Sequence, residues 1–536
     1  MRAERYAVAM VAFAFAAATG ADVDTATNNR IIDEALNHSE LPQTGEYLTD
    51  RIGGRMTNSP QMRAAEQWTQ EKFRGWGLKN VHTEGFDFGR GWSVERIEAR
   101  MTAPRTLVMR AIPVAWTPST AGTINASVIV APLRRERDFD KYKGQLKGKI
   151  VLVSEPGDGS EPEQAPFRRQ SDEDLTKLDT YVQPTRSETA IARGLRRSAF
   201  TTKMDAFLAS EGAVAWLRQS YRDGSLLHGE GYAYRVGATP AVPGIELAAE
   251  DYRRLARLAK TDAAPSVELT STVRYYDADR NAYNVVAEIP GRDPKAGYVM
   301  AGAHLDSWAA ADGASDNGAG SVVVMEIARV LTKLGVKPRR TIRFVLWAGE
   351  EQGLLGSMAY VEQHLAKRPP VTDPELAKLS PYETWNTRWP ITPLPGHAEL
   401  AAYFNLDNGS GKIRGIFTEG NPAVAHIFGE WLAPFASMGA TRAVARPTGG
   451  TDHMFMQSVG IPAFQFIQDP LDYGSRVHHS NVDTFDHMKI ADLKQATIVM
   501  ASFLWHAAER AEPLPRMPVV QKPADTNPFA YEEDDD

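Results

Sequence analysis

Four short apolar runs limit what this chain can fold into, because each has the length of a buried strand and each delivers a histidine or a carboxylate near its end. Gly297–Ala301 leads to His304 and Asp306, and Thr341–Trp347 leads to Glu350 and Glu351. Leu400–Leu406 leads to Asp407, and Ile461–Gln468 leads through a longer loop to His478 and His479. Helix-length segments at 318–334, 357–366, 423–435 and 489–511 alternate with these runs. That alternation predicts an α/β fold: a mostly parallel mixed sheet with helices on both faces. Sites in such sheets gather outside the carboxyl ends of the strands, so the four ends can converge. The chain has only 12 histidines in 536 residues, which makes their arrival at two of the four ends informative.

The residue types at those ends suit a cation site. Asp306, two residues past His304, points the same way if the chain is still extended, and its carboxylate can take the imidazole's second N–H. Asp316 stands at the mouth of an apolar helix from Ser321 to Leu334, where the positive helix end favours an anion. Glu350 and Glu351, leaving a buried strand side by side, repel unless something positive sits between or beside them. Thr451 and Asp452 follow Gly449-Gly450 ahead of a helix. They are read either as a substrate-contacting loop or as a helix start capped by Asp452. His478 is read either as a pocket wall or as a residue that supports the site from behind or packs structurally.

Composition excludes several other chemistries. There is no cysteine, so metal ligands must be His, Asp and Glu, and no thiolate nucleophile exists. A formal net charge of −7 argues against nucleic acid as a partner. The apolar run Ala7–Ala18 after Arg2 and Arg5 is too short to span a bilayer comfortably and reads as a signal peptide over 1–21. The expected mature protein is exported, periplasmic or secreted, with no membrane association after signal removal.

Beyond the signal peptide the chain divides into an N-terminal arm (22–104), an insertion domain (105–275), a catalytic domain (276–515) and a flexible acidic tail (516–536). Within the insertion, Pro156–Arg197 is charged and Pro-rich and reads as a solvated loop or exposed helix. Within the catalytic domain, Pro369–Gly396 carries Tyr382, Trp385 and Trp389 among several prolines. It is read as a rim over the substrate cleft or as a packed structural loop.

Taken together, His304-Leu305-Asp306-Ser307-Trp308, Glu350-Glu351-Gln352-Gly353, Gly450-Thr451-Asp452 and His478-His479-Ser480 with Asp483-Thr484 resemble the co-catalytic zinc peptidases of metallopeptidase family 28. These include aminopeptidases and carboxypeptidase Q-like members. The resemblance spans roughly 280–510, and the order of elements in the insertion resembles a protease-associated domain.

The resemblance implies two divalent metal ions, most fittingly zinc. Asp316 bridges them, His304 and Asp407 complete one site, and Glu351 and His479 complete the other. Three carboxylates with one bridging hydroxide would balance two divalent charges. Glu350 is the implied general base, with Asp306 and Asp483 orienting His304 and His479. The implied substrate is a peptide, cut at its N-terminus or as a dipeptide. Two other readings compete: a non-catalytic receptor-like binding protein on the same fold, and a glutaminyl-cyclase-like enzyme, which needs one metal. Side-chain specificity and oligomeric state are not encoded in any motif.

Overall fold

A computed structural model describes residues 23–159, 165–180, 187–188, 190–519 and 530–531. The proposed signal peptide and most of the acidic tail lie outside the described residues.

The larger sheet has eight strands, in the spatial order Lys79–Asp87, Asn281–Ile289, Thr341–Trp347, Tyr298–His304, Leu400–Asn405, Ala463–Gln468, Ile413–Phe417, Arg442–Val444. Its centre is parallel: the His304 strand pairs with its neighbours on both sides, and Leu400–Asn405 pairs with Ala463–Gln468. Antiparallel strands flank that centre. The strands Tyr298–His304, Leu400–Asn405 and Ala463–Gln468 are buried at every position, as expected for parallel strands covered on both faces.

Adjacent residues of one strand show the two covers. Phe404 packs edge-on against Phe503 of helix Ile490–Glu509 at 6.0 Å. Tyr403, pointing the other way, accepts from Trp347 Nε1 at 2.7 Å, and Trp347 lies edge-on to Tyr360 of helix Leu355–Tyr360. Gly302 sits between these rings. A Cβ there would come within 2.6 Å of Tyr403 Oη and 2.9 Å of Trp347 Nε1, so only glycine lets the strand pass.

The N-terminal arm packs onto this sheet and adds its edge strand. Helix Pro60–Trp76 starts where Ser59 Oγ accepts from Met62 N (3.2 Å), has proline in its first turn, and stops at Gly77 in the left-handed region. It buries Met62, Ala65, Trp68 and Phe73.

The second sheet runs Leu107–Val108, Gly91–Ala103, Ser266–Tyr276, Ile124–Val130, Ile150–Leu152, Ala215–Gln219, Gly244–Leu247, Ala111–Pro113. It therefore takes in Gly91–Ala103, which the sequence reading groups with the N-terminal arm. Residues 165–180, within the stretch read as solvated, lie docked on the larger sheet. Leu175 is buried with Phe417, Val444 and Ile467, and Arg169 pairs with the buried Asp469 at 2.9 Å. Leu178 packs beside Leu175, and backbone hydrogen bonds from Arg168 N to Leu471 O and from Gln170 N to Asp469 help hold the segment down.

Glu246 is a buried charge in the second sheet. It is paired with Arg218 (2.7 Å) and His228 Nδ1 (3.1 Å), and it also accepts from His228 N (2.7 Å) and Gly229 N (3.3 Å). Burial alone would raise its pKa, but His228 and Arg218 hold it down at about 2. A depressed carboxylate stabilises the fold above its unfolded pKa, and that stability is lost as pH falls from the unfolded value toward 2. Glu246→Gln should therefore melt well below the parent at pH 7, with the gap narrowing as thermal scans are taken to pH 3. A gap independent of pH would contradict this account.

Candidate metal centre

The strand ends converge as the sequence predicts. His304 Nε2 lies 3.4 Å from Asp316 Oδ1 and 3.4 Å from Asp407 Oδ1. His479 Nε2 lies 3.2 Å from Asp316 Oδ2 and 3.0 Å from Glu351 Oε2. Asp316 thus offers one oxygen to each histidine. Glu350 Oε2 stands 4.0 Å from His304 Nε2. His478 stacks on His479 (3.7 Å between ring centres), with its Nε2 3.8 Å from Asp316 Oδ2. It is within reach of the same cation position as His479.

The site's own atoms fit cations. Asp316 Oδ2, Glu351 Oε1 and Asp407 Oδ1 are buried without a hydrogen-bond donor, and buried acceptors of this kind are rare unless something else satisfies them. Burial pushes Glu350 well above the usual carboxylate range, against the pull of His304 and with Asp407, Asp452 and Glu351 adding repulsion. Burial also lifts Glu351 to about 7, opposed by His479. Asp316 is held below its ordinary value despite burial, by His304, His479 and His478. Both ligand histidines are driven well above theirs by the carboxylates, although burial opposes it. Protein charges alone leave this cluster too negative to ionise fully. Two divalent ions on His, Asp and Glu donors would resolve that frustration.

Two of the predicted orienting contacts are not formed. Asp306 was expected to take the His304 N–H on its carboxylate. Its backbone oxygen does so instead (2.9 Å from Nδ1), while the carboxylate oxygen is 3.7 Å away. The carboxylate is engaged elsewhere, accepting from Thr57 Oγ1 (2.9 Å), Glu350 N (3.2 Å) and Glu351 N (3.4 Å). It anchors the turn carrying the two glutamates, because three donors outbid one imidazole.

Asp483 was expected to orient His479. It accepts instead from Ser315 N (2.6 Å) and Asp316 N (2.9 Å), and so presents Asp316. The partner of His479 Nδ1 is Glu230, at 2.6 Å, on the loop between strands Ala215–Gln219 and Gly244–Leu247 of the second sheet. Nothing in the sequence pointed to Glu230, which lies 249 residues away.

Arg55 was also missed. Fully buried, it donates to Leu305 O (2.7 Å), Asp312 O (2.6 Å) and Gly313 O (2.8 Å), tying the His304 loop to the Asp316 loop. Burial lowers its pKa to about 10, while Asp483 and Asp306 favour its charge. A buried arginine charged in this setting offsets part of the local negative charge.

Thr451 Oγ1 accepts from Asn405 Nδ2 (3.0 Å). Asp452 does not cap helix His453–Gln457. Its carboxylate is buried without a donor, since the nearby Ser357 hydroxyl donates to Leu354 O (3.2 Å). Burial pushes Asp452 up to about 8, opposed by His304. The 369–396 segment is packed down at one of its aromatic residues. Trp385 is buried, with Nε1 donating to Ser458 Oγ at 2.7 Å, while Tyr382 stays partly exposed within electrostatic reach of Glu350.

Comparison with known proteins defines the class. Residues 284–504 match the model for Peptidase family M28. Carboxypeptidase Q of Bos taurus is 27% identical over 478 residues, covering 88% of this chain and 85% of that protein. A Peptidase M28 precursor from Shewanella amazonensis shares the fold with a TM-score of 0.65 at 23% identity, over 92% of this chain and 98% of that one. BSAP, a zinc aminopeptidase from Bacillus subtilis, matches with a TM-score of 0.54 at 19% identity, over 89% and 97%. Residues 284–504 thus carry the match to peptidase family M28, and the chain is a peptidase.

Asp483→Ala should free two backbone N–H groups, each costing ~1–3 kcal/mol when left unpaired, and release Asp316. The expected outcome is a lower thermal midpoint together with zinc binding weakened by ~10–100-fold in a chelator competition. Parental zinc affinity in a folded variant would remove Asp483 from this role.

Proposed function

We propose that the protein is an exported di-metal exopeptidase, releasing the N-terminal residue of peptides or splitting dipeptides. The observation that carries this is Asp316, whose Oδ1 faces His304 at 3.4 Å while its Oδ2 faces His479 at 3.2 Å. A carboxylate with two histidines on its two oxygens is suited to bridging two ions. His304, Asp316 and Asp407 would hold one ion, and Asp316, Glu351 and His479 the other. When bound, such ions supply Lewis acidity and lower the pKa of water to near ~7.

The chain's own groups do the rest. Glu350, buried beside the cluster and not itself a ligand, takes a proton from the attacking water on its carboxylate and returns it to the departing amine. Burial favours its protonated form, which suits the second transfer. Asp306 holds the Glu350 and Glu351 backbone in place, so base and ligand move together. Trp308, Gly313 and His479 line the narrow cleft in front of these groups and exclude water from one side. The loop that carries Glu230, from the region read as a protease-associated insertion, reaches this cleft at His479 and, through Tyr232, at Trp308. Among the described residues no helix is long and apolar enough to cross a membrane. Export itself rests on the sequence of residues 1–21.

Glu350→Gln should retain both metals by elemental analysis while turnover falls ~10²–10⁴-fold; a near-normal rate would eliminate Glu350 as base. Dipeptides and peptides blocked at either end, assayed with chelator and then with added zinc, test the substrate class. Release confined to free amino termini, lost with chelator and restored by zinc, is the expected pattern. Two bound metals with no hydrolysis of any peptide would favour the receptor-like reading, and a single metal the cyclase-like one.

A further inference from the structure

The two ligand histidines are oriented by unlike partners. His304 Nδ1 meets a neutral acceptor, the Asp306 backbone oxygen, within its own loop. His479 Nδ1 meets a carboxylate from a loop of the other sheet, Glu230 Oε1 at 2.6 Å. His479 also has a left-handed backbone (φ 60°), a conformation that non-glycine residues rarely adopt and that its surroundings must hold. Those surroundings come largely from the loop 222–230. Arg222 Nη1 donates to His478 O (2.6 Å), Leu227 N donates to Asn481 Oδ1 (2.8 Å), and Asn481 N donates to Leu227 O (2.9 Å). Behind the loop, Glu246 accepts from His228 N and Gly229 N. Tyr221 Oη donates to the same oxygen, Glu230 Oε1 (3.2 Å), so that this oxygen is held between the phenol and the imidazole.

From this geometry we infer that Glu230 is a positioning residue for one half of the metal centre, so that the second sheet contributes to metal affinity and does more than shape the cleft. With Nδ1–H donated to Glu230, the imidazole is fixed in the tautomer whose Nε2 lone pair faces Asp316 and Glu351. A carboxylate acceptor also makes that nitrogen a stronger donor than a carbonyl acceptor would. The half-site of His304 lies within the catalytic sheet and needs no such help. This inference rests on the two-metal reading and refines it by making the two ions unequal in their dependence on the second sheet.

The test uses the full-length protein stripped of metal, titrated with Zn²⁺ against a chromophoric chelator, with bound ions counted by elemental analysis. Glu230→Ala and Glu230→Met both remove the acceptor, and Met preserves the bulk if Ala does not fold. In each, one ion should bind as in the parent and the other ~10–100-fold more weakly, in a metal-free protein that still unfolds cooperatively. Glu230→Gln, whose amide oxygen still accepts Nδ1–H, should recover most of the loss. Parental affinity for both ions in the Met variant, or equal weakening of both, would overturn the proposal. Fewer than two ions in the unsubstituted protein would instead strike the two-metal reading, and this proposal with it.

Discussion

The structure depends on holding like charges together. Asp316, Glu350, Glu351, Asp407 and Asp452 are brought to one buried place, where their mutual repulsion would open the fold if left to itself. Backbone N–H groups and one buried arginine oppose it. Asp306 accepts from the amides of Glu350 and Glu351, Asp483 accepts from those of Ser315 and Asp316, and Arg55 ties the loops behind them. These groups fix where the carboxylates point and leave the oxygens that face the cleft without donors. The remaining imbalance is what gives the site its affinity for cations.

The large sheet supplies rigidity for this. A parallel centre covered on both faces has little freedom to relax, since shifting one strand moves aromatic layers such as Phe404 against Phe503 and Trp347 against Tyr403. Close approach at Gly302 belongs to the same layer, immediately before His304. Position at the strand ends is therefore inherited from core packing. The second sheet is coupled to this frame at the loop bearing His478 and His479, through hydrogen bonds from Arg222, Leu227 and Glu230.

The proposed metal-ligating residues were legible because His304, Glu351 and Asp407 end or closely follow their strands, while Asp316 and His479 lie on the longer loops that come after. Orienting contacts were not legible. Proximity in sequence suggested that Asp306 serves His304 and that Asp483 serves His479, but backbone amides compete for a carboxylate as well as an imidazole does. In both cases the amides won. Residues 165–180 look solvated by composition, yet the burial of Leu175 and the Arg169–Asp469 pair depend on a surface built far along the chain.

The amino-acid sequence alone determined the alternation of strands and helices, the absence of thiol chemistry, and the histidines and carboxylates delivered at the strand ends, since each is set by neighbours within a dozen residues. Tertiary structure alone decided which carboxylate serves which histidine, that Arg55 lies buried behind the site, and that Glu230 reaches His479 from a loop of the second sheet. Those are contacts between segments far apart in the chain. Their formation is governed by how loops from distant parts of the chain meet, which no local pattern records.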